Sequence, residues 1–159
     1  MACADHETAI IGIDVHTPGV VAVLDAVEND PLPHVRVVHG DALRFLTRVP
    51  NNSLDAVRVY FPDPWPKKRH WKRRFLNEDN VKRFHRVLKA GGEFRFASDI
   101  ESYVNWGLRH VFNHGGFDWT ANKAPDWHEA WAEWISTRYE KKAIREGRTP
   151  CYMIFEKHS

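Results

Sequence analysis

The sequence predicts an α/β fold, a mostly parallel sheet with helices on both faces. Two observations predict it. Short apolar runs rich in β-branched residues recur along the chain, at Ala9–Val15, Val35–Val38, Leu54–Phe61 and Glu93–Ala97. Between them lie segments whose apolar residues repeat at helical spacing behind capping residues. Strands alternating with helices in this way favour parallel pairing.

Taken in order, Ala9–Val15 (AIIGIDV) reads as a buried strand. Thr17-Pro18 supplies an N-cap and first-turn pair, followed by Val20, Val23, Leu24 and Val27 on one helical face. Val35–Val38 is the second strand, and Gly40-Asp41 leads into a short helix with Leu43 and Leu46. Asn51-Asn52-Ser53 is a loop and Leu54–Phe61 (LDAVRVYF) the third strand. A helix over Asp79–Lys89 turns Val81, Phe84, Val87 and Leu88 inward, and Gly91-Gly92 is expected to end it. Glu93–Ala97 is the fourth strand, followed by a helix from Ile100 to Phe112. Cys151–Glu156 (CYMIFE) reads as a last strand, with Phe117–Thr120 as a possible partner.

The chain has 159 residues, a length that suits a single domain, 1–159, with an ordinary core. Apolar residues make up 43% and charged residues 28%, and the net charge is only +2. Any basic surface is therefore local, which favours one docking face over general coating of a polyanion. Cys3 and Cys151 form no disulfide framework and no metal-binding spacing, so a reducing compartment is expected. No apolar run approaches the ~20 residues that span a bilayer. The first ten residues lack the regions of a signal peptide. A cytoplasmic protein, monomer or homodimer, without membrane contact is expected.

In parallel sheets ligands bind beyond the carboxyl ends of the strands. Asp14 ends the first strand, and Asp41, Asp63 and Asp99 follow the second, third and fourth. Each acid has a plain structural reading. Asp41 can cap the next helix, and Ser98-Asp99-Ile100-Glu101 fits a capping box. An acid after an early strand is also a usual way to hold a ribose diol in dinucleotide-type folds.

Residues Phe61–Arg74 read FPDPWPKKRHWKRR. A rigid turn carrying Asp63 runs into a nine-residue stretch, Pro66–Arg74, with six Lys or Arg. Two readings stand: a solvated loop, or a carboxylate set beside a track for nucleic acid. Trp65 and Trp71 among the cations suit stacking as well as phosphate contact.

This segment, a strand followed by FPDPW, a basic run and KRR, resembles the bacterial tRNA (guanine-N7-)-methyltransferase family. Further matches in the family's order are GIDVHTPGV at Gly12–Val20, GDAL at Gly40–Leu43, LKAGGEFRFASDIESY at Leu88–Tyr103 and TRYEKKAIREGR at Thr137–Arg148. The resemblance implies a Rossmann-like class I methyltransferase fold that uses S-adenosylmethionine to methylate a guanine in the variable loop of tRNA. It implies that Asp14 holds the cofactor's ribose, that Asp41 and the Ala42 backbone read its adenine, and that Asp63 sits by the methionine end and the target base. Lys67, Asp99, Thr137, Arg138, Tyr139 and Glu140 would form the guanine pocket. Arg69, His70, Trp71, Lys72, Arg73 and Arg74 would meet the RNA.

The chain departs from that family at its start. MACADHETAI aligns with the end of the helix after the family's first, central strand, and the glycine-rich cofactor loop is not found. A gap is expected between the Ala9–Val15 and Leu54–Phe61 strands, as in an N-terminally truncated member. A non-catalytic or degenerate tRNA-binding homologue without a complete cofactor site is the alternative; a methyltransferase for another RNA or a protein fits less well.

Two features read as structural. Trp127, Trp131 and Trp134 follow i, i+4, i+7 spacing, which predicts a buried helix face. His110 and His114 share a helix face, but no third ligand accompanies them, so no metal is expected.

Overall fold

The computed structural model describes residues 8–30 and 32–159. These residues gather into two compact units that divide between Val49 and Pro50. Cys3 lies outside the described residues. So does the alignment of Met1–Glu7 with a helix end.

In the first unit, β1 (Ile10–Asp14) and β2 (Val35–His39) pair in parallel from Ile10↔Val35 to Asp14↔His39. Between them runs α1 (Thr17–Asn29), and α2 (Ala42–Leu46) follows. The N-cap of α1 is His16 rather than Thr17, because its Nδ1 accepts the Gly19 N–H at 3.3 Å while Pro18 takes the first turn. Asp41 caps α2 as expected, its carboxylate accepting from Leu43 N at 2.8 Å.

In the second unit, β3 (Leu54–Tyr60), β4 (Leu88–Ser98), β5 (Phe117–Trp119) and β6 (Cys151–Lys157) form a four-stranded sheet in the order β3-β4-β6-β5. β3 and β4 are parallel, while β6 runs antiparallel to β4 and to β5. The expected pairing of Phe117–Thr120 with the last strand is therefore present. A 3-10 helix (Lys68–Arg73) and α3 (Glu78–Val87) connect β3 to β4. α4 (Glu101–His114), α5 (Pro125–His128) and α6 (Arg138–Arg145) complete the unit. β1 and β3 belong to separate sheets.

The core of this unit lies on one face of β4. Phe94 and Phe96 are fully buried with Phe84 and Val87 of α3 and Tyr103 and Val111 of α4. The ring of Phe84 lies 5.1 Å from Phe94, and Tyr103 lies 5.4 Å from Phe96. Gly107 permits this approach: a Cβ there would stand 2.6 Å from Leu76 Cδ2 and 2.9 Å from Phe96 Cε1.

Two expected helix ends differ. Asn77 caps α3, accepting from Asn80 N, and Leu88 is already extended. Gly91 and Gly92 therefore do not end α3. They form an irregularity within β4, where the register shifts opposite Leu54 and Ala56 and Gly91 has φ +70°. α4 continues past Phe112 to His114 and closes on Gly115 in the left-handed conformation. No helix among the described residues is long and apolar enough to cross a membrane.

Candidate active site

Within each unit, parallel strands bring acids to one end. In the first, register places Asp14 and His39 side by side at the carboxyl ends of β1 and β2, with Asp41 two residues beyond His39. Asp14 Oδ1 accepts the His16 N–H at 2.9 Å, which tucks the chain after β1 into a turn. Asp14 and Asp41 are both exposed, each with one carboxylate oxygen committed to its turn or cap.

In the second unit, Tyr60 pairs with Ala97 at the ends of β3 and β4, so Asp63 and Asp99 follow adjacent strands. The Phe61 N–H extends the ladder to Ala97 O at 2.8 Å. Phe61 then adopts φ +47° and Trp65 φ +42°, so two left-handed residues bracket Pro62-Asp63-Pro64. Such conformations cost of order 1–3 kcal/mol each and persist where the surroundings hold them. Asp63 is exposed at the apex of this turn. Asp99 is largely covered and accepts from Arg148 Nε at 2.6 Å. The capping box expected around it does not form: Ile100 is the N-cap of α4, and Ser98 Oγ accepts from Ile100 N instead.

The basic tract divides into two populations. Lys67, Lys68, Arg69, Lys72 and Arg73 are exposed, and Arg73 lies over the Trp65 ring at 4.9 Å. His70 is half-buried, edge-on to Trp65 and accepting from Arg69 Nε. Arg74 is 1% exposed, so the expectation that it meets RNA is corrected. Its Nε donates to Pro64 O at 2.8 Å and its Nη1 to Ser102 O at 3.0 Å. Trp71 is half-buried: its ring packs edge-on against Trp106 and beside the Arg74 guanidinium, and its Nε1 donates to Pro66 O at 3.3 Å. It anchors the tract.

Thr137 caps α6, its hydroxyl accepting from Glu140 N at 3.1 Å. Arg138 and Tyr139 are exposed and bonded to each other, Nη2 to hydroxyl at 3.0 Å. Glu140 is buried, taking hydrogen bonds from Trp134 Nε1 and the Tyr152 hydroxyl. Burial pushes its carboxyl up, but hydrogen bonds from Ser136, Tyr152 and Trp134 outweigh it and hold the pKa below the ordinary value. Trp131 and Trp134 are half-buried against Tyr60 and Tyr152. They do not extend a helix from Trp127, since α5 stops at His128; the shared helix face expected for the three is corrected. Among the described residues, no three His, Cys, Asp or Glu side chains gather as a metal site. An open depression lined by Asn52, His85, Lys89 and Lys157 lies elsewhere, around the amino end of β4 and away from Asp63.

Residues 1–153 match the family described as "Putative methyltransferase". The chain belongs to this methyltransferase family. The tRNA (guanine-N(7)-)-methyltransferase of Agrobacterium fabrum is 48% identical over 154 residues, covering 97% of this chain and 66% of that protein. That of Mesorhizobium japonicum is 51% identical over 148 residues, covering 93% and 64%. The chain thus spans just under two thirds of the length of these curated relatives. An rRNA methylase from Streptococcus thermophilus matches with a TM-score of 0.58 at 12% identity, over 94% of this chain and 73% of that one. That likeness shows the α/β fold alone.

Several residues that position these side chains carry no signal in the sequence. Arg148, Ser102, Tyr103, Trp106, Trp134 and Tyr152 orient Asp99, Arg74 and Glu140. Arg148 and Tyr103 stand inside segments quoted for the resemblance, but their partners lie 49 and 29 positions away in sequence. No local pattern marks such pairs.

Proposed function

We propose that this chain forms part of an S-adenosylmethionine-dependent enzyme that methylates N7 of a guanine in the variable loop of tRNA. The observation that carries the reading is Asp63, an exposed carboxylate on a sheet-anchored turn, followed at once by five exposed cations. Family membership and the tRNA methyltransferase relatives support the substrate class.

S-adenosylmethionine supplies an electrophilic methyl on a sulfonium. With that group bound, the lone pair of guanine N7 would form the new N–CH3 bond as the S–CH3 bond broke, the S–C electron pair staying on sulfur. No proton leaves N7, so no general base is needed. Alignment and compensation for the positive charge arriving on guanine are what lower the barrier. Asp63 provides that compensation or accepts from the guanine edge; it is a positioning and electrostatic group.

The remaining roles are assigned on the family resemblance, with donor and acceptor type as support. Asp14 has an oxygen left to accept from a ribose diol, and Asp41 with the first-turn N–H of Ala42 suits an adenine edge. These residues fit an adenosine group by donor and acceptor type. Lys67, Asp99, Arg138 and Tyr139 bind the guanine, on a segment that Thr137 caps and buried Glu140 anchors. Arg69, Lys72 and Arg73 contact phosphates, with His70 beside them. The protein acts in the cytoplasm as a monomer or homodimer.

The test is methyl transfer from labelled S-adenosylmethionine to tRNA, with nucleosides resolved after digestion. Label in 7-methylguanosine is expected, lost in Asp63→Ala while tRNA binding persists. Label in another nucleoside, or full activity of Asp63→Ala, would remove the reading.

A further inference from the structure

We infer that Arg74 is a positioning residue that holds the Asp63 turn in its left-handed form, and that it takes no part in phosphate contact. The inference rests on the reading of Asp63 given above, but the turn's own order tests it separately.

Arg74 is the last cation of the tract and differs from its neighbours in burial, at 1% exposed. Nε donates to Pro64 O at 2.8 Å, Nη1 to Ser102 O at 3.0 Å and Nη2 to Ser102 Oγ at 3.2 Å. One planar group thereby links the residue after Asp63 to the first turn of α4. Three rings surround it, Trp71 at 4.7 Å, Tyr103 at 5.0 Å and Trp106 at 5.3 Å.

The cage is itself fixed. The Tyr103 hydroxyl accepts from Leu76 N at 3.0 Å, and Trp106 Nε1 donates to Leu76 O at 2.6 Å. Trp71 adds a bond from its Nε1 to Pro66 O at 3.3 Å. The carbonyls of Pro64 and Pro66, on either side of left-handed Trp65, are thus both held from one cage. A left-handed non-glycine residue persists where surrounding contacts over-determine it, and these two bonds do so.

Among the described residues no carboxylate pairs with Arg74 in this site. Burial pulls its guanidinium below the ordinary range, and Tyr103 opposes the shift. Its charge is compensated by carbonyl oxygens and ring faces. A lysine keeps the charge but has no planar fork to reach both Pro64 and Ser102, and it stacks poorly on the rings.

The test compares Arg74→Lys, Arg74→Gln and the milder Ser102→Ala with Lys72→Gln, all in the full chain. Hydrogen exchange of residues 61–68, without RNA or cofactor, should quicken by about tenfold in both Arg74 variants, and less in Ser102→Ala. The slope of log tRNA affinity against log salt should stay unchanged in Arg74→Gln, but fall by about 0.7–0.9 in Lys72→Gln. kcat should drop in Arg74→Lys as it does in Arg74→Gln, with KM for tRNA little moved. Wild-type exchange in Arg74→Lys, or a salt slope lowered in Arg74→Gln as in Lys72→Gln, would overturn the inference. If the Arg74 variants fail to fold, Ser102→Ala decides: unchanged exchange at 61–68 refutes the latch. A wild-type chain without methyl transfer would count against the proposed function, while exchange at 61–68 would still judge Arg74.

Discussion

Arg148 closes on Asp99: its Nε donates to Asp99 Oδ2 at 2.6 Å, while its Nη1 is held by Glu146. The Asp99 side chain is 14% exposed and that of Arg148 36%, so the pair joins the end of β4 to the loop after α6. Asp99 is thereby oriented from across the fold.

Arg148→Met should lower stability only slightly, because the pair is partly open to water. It should lower methyl transfer at least as much as Asp99→Asn does. A double-mutant cycle on kcat/KM checks this, and additivity of the two variants would show that the pair does not act as a unit.

The exposed cations should act one phosphate at a time. Arg69→Gln and Lys72→Gln should each weaken tRNA binding across sequences and lower the salt slope by about 0.7–0.9. Binding titrations over a range of salt measure both. An unmoved slope would exclude phosphate contact at that position.

Gly107→Ala should destabilise the second unit by about 1–3 kcal/mol, because the added methyl meets Leu76 and Phe96 in a full core. Urea unfolding followed by tryptophan fluorescence measures the loss. A midpoint equal to wild type would show that α4 can lift without cost.

The rings of His85 and His114 lie 4.6 Å apart, tilted to each other, and burial lowers the pKa of each below the usual 6.5. Lys157, His114 and His158 add to the lowering at His85, as Lys82 does at His114. His110 is also lowered, by burial and Arg109, with Glu78 opposing. Depressed folded values mean that the unfolded chain binds more protons as pH falls through about 6.5. Stability should therefore be full above that pH and decline below it toward the folded values. His114→Asn should flatten the decline in urea midpoints measured from about pH 8 to pH 5. A slope unchanged from wild type would remove His114 from the account.

Much of the fold was legible because it depends on local pattern. Periodicity placed the β strands of both units, and Asp41 behaved as an N-cap. Contacts distant in sequence were not legible. The spacing of Trp127, Trp131 and Trp134 mimics a helix, yet these rings settle against separate neighbours, Trp119 for the first and Tyr60 and Tyr152 for the others. All six cations of the tract look alike in a one-dimensional reading; only the cage formed with Tyr103 and Trp106 sets Arg74 apart. The acids after the strands were visible in sequence, but the hand that Arg148 lends to Asp99 was not.

The hydrogen bond from Phe61 N to Ala97 O has a thermodynamic consequence for any ligand that Asp63 meets. The turn leaves the sheet from a completed ladder, so the carboxylate is indexed to β4 rather than to a free loop. Its conformational entropy is surrendered during folding, before a ligand arrives, and affinity at this position is not reduced by ordering the turn. Adding one glycine between Tyr60 and Phe61 would keep every functional side chain and yet weaken binding, because the same contacts would then have to order their own support.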